Sequence, residues 1–136
     1  MEKLNVGFGR VDITPDFPVS IAGYSDDETR ISEGVLEHIY VTCIAMTAGA
    51  ETVLLYTIDN LSVYRKEADI IREYVSPKVG IAPEKIFFTA THCHTAPTNY
   101  LINDGAKRYR ALLLDWMTQA AQEALADRVP AEIYGA

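Results

Sequence analysis

The sequence predicts an α/β fold, a mixed, partly parallel sheet with helices packed on it, in the order β-β-β-α-β-α-β. Three observations carry that reading. Short β-rich apolar runs recur at 4–14, 36–47, 52–58 and 86–91. Two longer stretches, 63–79 and 104–127, instead repeat their apolar residues at helical spacing. The helices fall after the third and fourth strands, giving two βαβ units, and right-handed crossovers would then set strands parallel.

Each element has its own signature. In the first strand Leu4, Val6, Phe8, Val11 and Ile13 are interrupted by Gly7 and Gly9, which mark a bulge or the close approach of another backbone. Thr14-Pro15-Asp16-Phe17-Pro18 ends it, because two nearby prolines cannot continue a ladder. A polar, glycine-bearing loop follows from 17 to 35. Loops this long in a small domain are commonly functional. Tyr24 within it is read either as a substrate-rim residue or as an ordinary surface tyrosine. The second and third strands, joined at Ala48-Gly49-Ala50, are apolar on both sides, which predicts a hairpin in a sheet covered on both faces.

Ser62 is the expected N-cap of the first helix, whose stripe is Tyr64, Ala68, Ile71, Val75 and Val79 and whose end is Gly80. Ile86 to Thr91 is a short buried strand. The second helix presents a continuous core stripe from Tyr109 through Leu113, Trp116, Met117, Ala120 and Ala124 to Leu125. Pro130 stops it, and Ala131-Glu132-Ile133-Tyr134 begins a last strand. Repeats, linkers and low-complexity tracts are absent, so 1–136 reads as a single domain. At 136 residues such a chain buries about 68% of its unfolded surface.

The chemistry concentrates at Ala90-Thr91-His92-Cys93-His94-Thr95-Ala96-Pro97, which holds two of the chain's three histidines. In an extended backbone residues two apart point the same way, so His92 and His94 would share one place while Cys93 faces away. Neutral imidazole is a common zinc ligand and carries protons near neutral pH. Ligands of open α/β sheets gather at the carboxyl ends of parallel strands. Asp59 stands at the other such end, where it could ligate a metal or orient a histidine; equally, it could cap the first helix. Paired histidines of this kind serve metal hydrolases, yet a pair that merely pins a loop would look identical. His38 reads as a surface histidine or a hydrogen-bonded core one.

Charge narrows the partners. The net charge is −7, from 19 acidic and 12 basic residues, the reverse of the basic stripe that nucleic-acid binding uses and unsuited to an anionic membrane. No apolar run reaches the roughly 18 residues of a transmembrane segment. Met1 to Gly7 lacks a signal peptide's apolar core, which reads as cytoplasmic; a secreted chain stripped of its leader would read the same. Cys43 and Cys93 form no CxxC pair or disulfide framework and read as small thiols.

Val6-Gly7-Phe8-Gly9-Arg10-Val11-Asp12-Ile13-Thr14-Pro15 and, later, Ala90 to Pro97, with Gly23-Tyr24 and the strand end at Asp59 between them, resemble in order the opening and the "ATHTHSGP" stretch of the neutral/alkaline ceramidase family. The resemblance covers nearly all of this chain but only the first part of a catalytic domain of several hundred residues. It implies a zinc-dependent amidase that cleaves the N-acyl bond of ceramide, with His92 as a zinc ligand and His94 beside the catalytic centre. The family's further ligands, another histidine, a glutamate and a tyrosine, come later in its chain and match no residue here. Cys93, Thr95, Ala96 and the run Thr98-Asn99-Tyr100 depart from the family pattern where the pocket would be shaped.

The expectations are therefore an incomplete portion of a larger α/β domain and an incomplete zinc site, inactive alone, acting in its full context on a small-molecule amide or lipid-like substrate. An apolar surface left for the rest of that domain would favour self-association. The alternatives are another metal hydrolase using the His92/His94 rim, or a non-catalytic α/β module.

Overall fold

The computed structural model describes residues 4–100 and 103–135; Leu101 and Ile102, in the loop after the histidines, lie outside them. Strands β1 (Leu4–Asp12), β2 (Tyr40–Ala48) and β3 (Glu51–Ile58) are followed by helix α1 (Arg65–Val79), strand β4 (Ile86–Ala90), helix α2 (Asp104–Ala126) and strand β5 (Val129–Ala131). The sheet order is β4-β3-β2-β1-β5. Among the described residues only β3 and β4 run parallel, joined across α1; the other pairs are antiparallel. The mixed α/β architecture and element order are as the sequence predicts.

The second expected parallel crossover does not form. Helix α2 carries the chain from one edge of the sheet to the other, where β5 pairs antiparallel with β1, Val129 opposite Val6 and Pro130 opposite Asn5. An edge position tolerates Pro130, since proline has no N–H to give a central ladder. Pro130 therefore lies inside the last strand instead of ahead of it. The first helix also starts differently: its N-cap is Tyr64 without a side-chain cap, while the Ser62 hydroxyl is buried and unpartnered. At α2, Asn103 accepts from the N–H of Ala106 at 2.9 Å, an ordinary cap.

Glycine in β1 has the second of its two predicted meanings. A Cβ on Gly7 would fall 2.1 Å from the carbonyl oxygen of Ala124, and one on Gly9 2.1 Å from that of Ala120. The α2 backbone thus lies directly on the strand. Helix residues Ile71, Val75, Tyr109, Leu113, Met117 and Ala120 share one core with Val11, Val41, Cys43, Leu54, Tyr56 and Ile86. Each large side chain so buried contributes about 1.5–3 kcal/mol, and Tyr56 places its hydroxyl on the Met117 carbonyl at 2.8 Å.

The opposite sheet face corrects the expectation of two covered faces. Across four strands the register aligns Phe8, Ile44, Leu55 and Phe87, with Val6, Met46 and Val53 alongside. Phe8 is 58% and Phe87 49% exposed. Apolar residues on both sides of a strand predict two faces that avoid water, but they do not say that the same chain supplies both covers.

At one end of the sheet the C-termini of β1, β3 and β4 meet the N-terminus of β2. The segments 13–39, 59–64 and 91–100 therefore meet at one rim. No helix among the described residues is long and apolar enough to cross a membrane.

Candidate functional site

The segment after β4 stays tied to the sheet while leaving the extended conformation. The N–H of Thr91 donates to the Ile58 carbonyl at 3.1 Å and that of Cys93 to the Asn60 carbonyl at 3.0 Å. His92 has φ 60° and Thr95 φ 72°, left-handed values that few non-glycine residues adopt. The two imidazoles converge as predicted, though not through strand alternation. A left-handed turn at His92 brings them together, and such strain in a non-glycine residue is held by its surroundings.

Those surroundings are the long loop. Ala22 and Thr95–Ala96 exchange backbone hydrogen bonds, the Thr95 N–H reaching Ala22 and the Ala22 N–H reaching Ala96, both at 2.8 Å, and the Thr98 N–H reaches Ser20 at 2.8 Å. Residues 20–22 thus form a short ladder with 95–98, and the Asn60 amide closes on the Pro97 carbonyl at 3.3 Å.

The Nδ1–H of His92 donates to the Leu61 carbonyl at 2.8 Å. A carbonyl only accepts, so Nδ1 carries the proton and Nε2 of the neutral ring offers its lone pair. That Nε2 lies 3.3 Å from Nε2 of His94, the rings standing at 74° with centroids 5.0 Å apart. Both side chains face solvent. Two metal–nitrogen bonds of about 2.0–2.1 Å at a tetrahedral angle hold their nitrogens about 3.3–3.4 Å apart. The spacing is that of two adjacent corners of such a site, and equally that of an Nε2–H of His94 donating to the Nε2 lone pair of His92. Among the described residues, no three His, Cys, Asp or Glu side chains converge as a metal would need.

His94 is seated by packing. Its ring occupies the space where a Cβ on Gly23 would fall, 2.5 Å from Nδ1, and Gly23 has φ 109°. Tyr24 meets it edge-on, centroids 5.6 Å apart at 80°, so the loop tyrosine stands at the histidine rim. The Arg30 guanidinium lies 4.4 Å from the Tyr24 ring centre and bonds Asp26 at 3.0 and 3.2 Å. Asp27 accepts from the Tyr24 N–H at 2.9 Å and from the Tyr100 hydroxyl. The Tyr100 bond is the main reason the Asp27 carboxyl lies below its ordinary range. Burial, reinforced by Asp27, pushes the Tyr100 phenol up to about 12.

Asp59 sits elsewhere on the rim. Its carboxylate accepts from the Tyr40 N–H at 2.9 Å and the Thr91 hydroxyl at 3.2 Å, tying β2 and β4 to the end of β3. The group that orients His92 is Leu61, not Asp59, and Asp59 does not cap α1. Cys93 is half-buried, its thiol pKa raised by burial and then by the Asp59 charge, which makes it a poor nucleophile. His38 is an exposed histidine paired with Asp12. Burial opposes the Asp12 charge, but hydrogen bonds from Thr14 and His38 outweigh it and lower its pKa.

Sequence reasoning missed the Leu61 carbonyl, Asp27 and Tyr100. A backbone oxygen has no residue signature, and Asp27 and Tyr100 are 73 positions apart. Their sequence marks were the polar loop from 17 to 35 around Asp27 and the run Thr98-Asn99-Tyr100 that departs from the family pattern.

No protein-family model matches the chain, and no curated protein matches its sequence. Two solved structures do match its fold. One is a ceramidase complexed with C2, at 16% identity and TM-score 0.74, covering 96% of this chain and 22% of that one. The other is the neutral ceramidase from Pseudomonas aeruginosa, at 14% identity, TM-score 0.74 and the same two coverages. The chain thus spans about a fifth of the length of these enzymes. At such identities the likeness is one of fold, and this mixed sheet with its two helices has the fold of one part of the neutral ceramidases.

Proposed function

We propose that this chain carries part of the active site of a ceramidase-like hydrolase that cleaves an N-acyl amide bond. The observation that carries the reading is the Nε2–Nε2 spacing of 3.3 Å between His92 and His94, at the rim of a sheet whose fold matches ceramidases over 96% of the chain. His92 would hold zinc through Nε2, its ring fixed by Leu61 as metal-bound histidines are commonly fixed by a hydrogen bond on the other nitrogen. Zinc, when bound, polarises an amide carbonyl and lowers the pKa of water to about 7.

His94, seated by aromatic packing instead of a backbone bond, is the proton carrier in this reading. Its Nε2 takes the proton that water loses as the oxygen bonds to the acyl carbon. It returns that proton to the amine nitrogen as the C–N bond breaks. Tyr24, stacked edge-on against it, would contact the substrate next to the scissile bond. The substrate class is a small-molecule amide or a lipid-like N-acyl compound. His92 supplies one ligand of a four-ligand site, so this segment alone should hold zinc weakly and lack activity.

The test uses the longest natural chain containing these residues. Zinc content near one equivalent should disappear in His92→Ala. His94→Ala should keep the metal and lose about 100-fold or more in rate on a panel of N-acyl lipids and soluble amides. Unchanged zinc content in His92→Ala, with no hydrolysis across the panel, would overturn the reading. That result would favour a non-catalytic module, which the Leu61 bond supports in one respect: His92 does pin the 59–64 segment.

A further inference from the structure

We propose that Asp27 and Tyr100 form a latch that seats Gly23 and Tyr24 against His94, making both of them positioning residues for the histidine pair. The proposal rests on reading that pair as the working site, and it concerns two residues, one just past Gly23-Tyr24 and one just past Pro97, to which the resemblance gives no role.

The segment from Gly23 to Arg30 is built as a strap. Its near end is fixed by the 20–22 ladder to 95–98. Its far turn is closed by the Asp26 carbonyl, which accepts from the N–H groups of Thr29 and Arg30 at 2.9 Å each. Between them Asp27 turns inward and gathers the Tyr24 N–H and the Tyr100 hydroxyl. Tyr100 belongs to the same loop as His94, so the latch fastens the strap to the segment it covers. Tyr100 is itself braced at the head of α1, edge-on to Tyr64 with centroids 5.7 Å apart at 83°.

The strap leaves His94 little choice of direction. On one side Gly23 offers a gap with no room for a Cβ; on another the Tyr24 ring closes in, itself packed under Arg30. Between these two walls, with its outer side open to solvent, the ring points Nε2 at His92. His92 needs no such help because Leu61 holds it. Releasing the latch should therefore disturb His94 and spare His92, an asymmetry that a general loss of stability would not produce.

The experiment reads imidazole geometry in this chain by long-range nitrogen–proton NMR, so it is answered whether or not the chain hydrolyses anything. Tyr100→Phe removes one hydroxyl and Asp27→Asn keeps the side-chain shape. In each, core signals from Leu54, Val75 and Met117 should stay in place. The His94 ring protons should move toward their values in an unstructured peptide and lose contacts to Tyr24, while the protonated Nδ1 of His92 persists. Should Tyr100→Phe fail to fold, Asp27→Asn decides. His94 signals and Tyr24 contacts unchanged in a folded latch variant would overturn the proposal, as would equal disturbance of both histidines.

Discussion

Gly23→Ala probes the seat of His94 most sharply, because two separate costs can be worked out from the structure. The first is backbone strain. At φ 109° an L residue leaves its allowed wells, which costs about 1–3 kcal/mol. The second is overlap: the new Cβ would lie 2.5 Å from Nδ1 and 2.7 Å from Cγ of His94, about 1 Å inside an ordinary contact of roughly 3.5 Å. Because the ring faces solvent it can yield, so the overlap should appear mainly as displacement of Nε2 away from His92. Urea denaturation should show a loss of about 1–3 kcal/mol. In a His94→Ala background the same substitution should cost less, with a coupling of about 0.5–1.5 kcal/mol. A change within about 0.5 kcal/mol, as at an ordinary surface site, with no coupling to His94, would refute the account of how this ring is held.

Other outcomes follow from the same contacts. Gly9→Ala should destabilise by about 3 kcal/mol or more, beyond ordinary overpacking, because its Cβ would meet the Ala120 backbone at 2.1 Å; a denaturation midpoint equal to wild type would contradict the helix-on-strand contact. The Tyr100 hydroxyl, bonded to a carboxylate, should be worth about 1–2 kcal/mol against Tyr100→Phe. Asp27 is depressed, so its share of that difference is present above the ordinary carboxyl range and lost as pH falls through its lower folded value. Tyr100 is raised to about 12, so its share holds to about pH 10 and fades as pH rises toward that value. A difference that varies between about pH 5 and 9 would exclude the latch as its source. The open sheet face should drive weak self-association in sedimentation equilibrium, reduced by Phe8→Lys; an ideal monomer at high concentration would remove that expectation.

How much of this was legible depends on how local each signal was. The strands, both helices and the glycines of β1 announce themselves within a few residues, and Gly7 and Gly9 carried a tertiary message as one of two readings, a close backbone or a bulge, between which the structure chose. The placement of β5 was not legible: nothing near Pro130 says which edge of the sheet it joins, and helix α2 is long enough to cross the whole sheet. The histidine pair was found for a reason that proved incomplete, since alternation along a strand and a left-handed turn at His92 can both bring residues two apart together. Asp59 was a fair candidate by position, yet its oxygens are occupied by Tyr40 and Thr91. Partners far apart in sequence, Asp27 with Tyr100 or His92 with a carbonyl, leave no periodic trace.

The most direct measurement is a zinc titration of this chain followed by the imidazole nitrogen signals. Nε2 of His92 should shift while its Nδ1 keeps its proton against Leu61, and the response should vanish in His92→Ala but survive in His94→Ala. If the His92 ring remains unmoved at millimolar zinc, or the metal goes elsewhere with the pair intact, two imidazoles 3.3 Å apart are a structural contact and His92 is no zinc ligand.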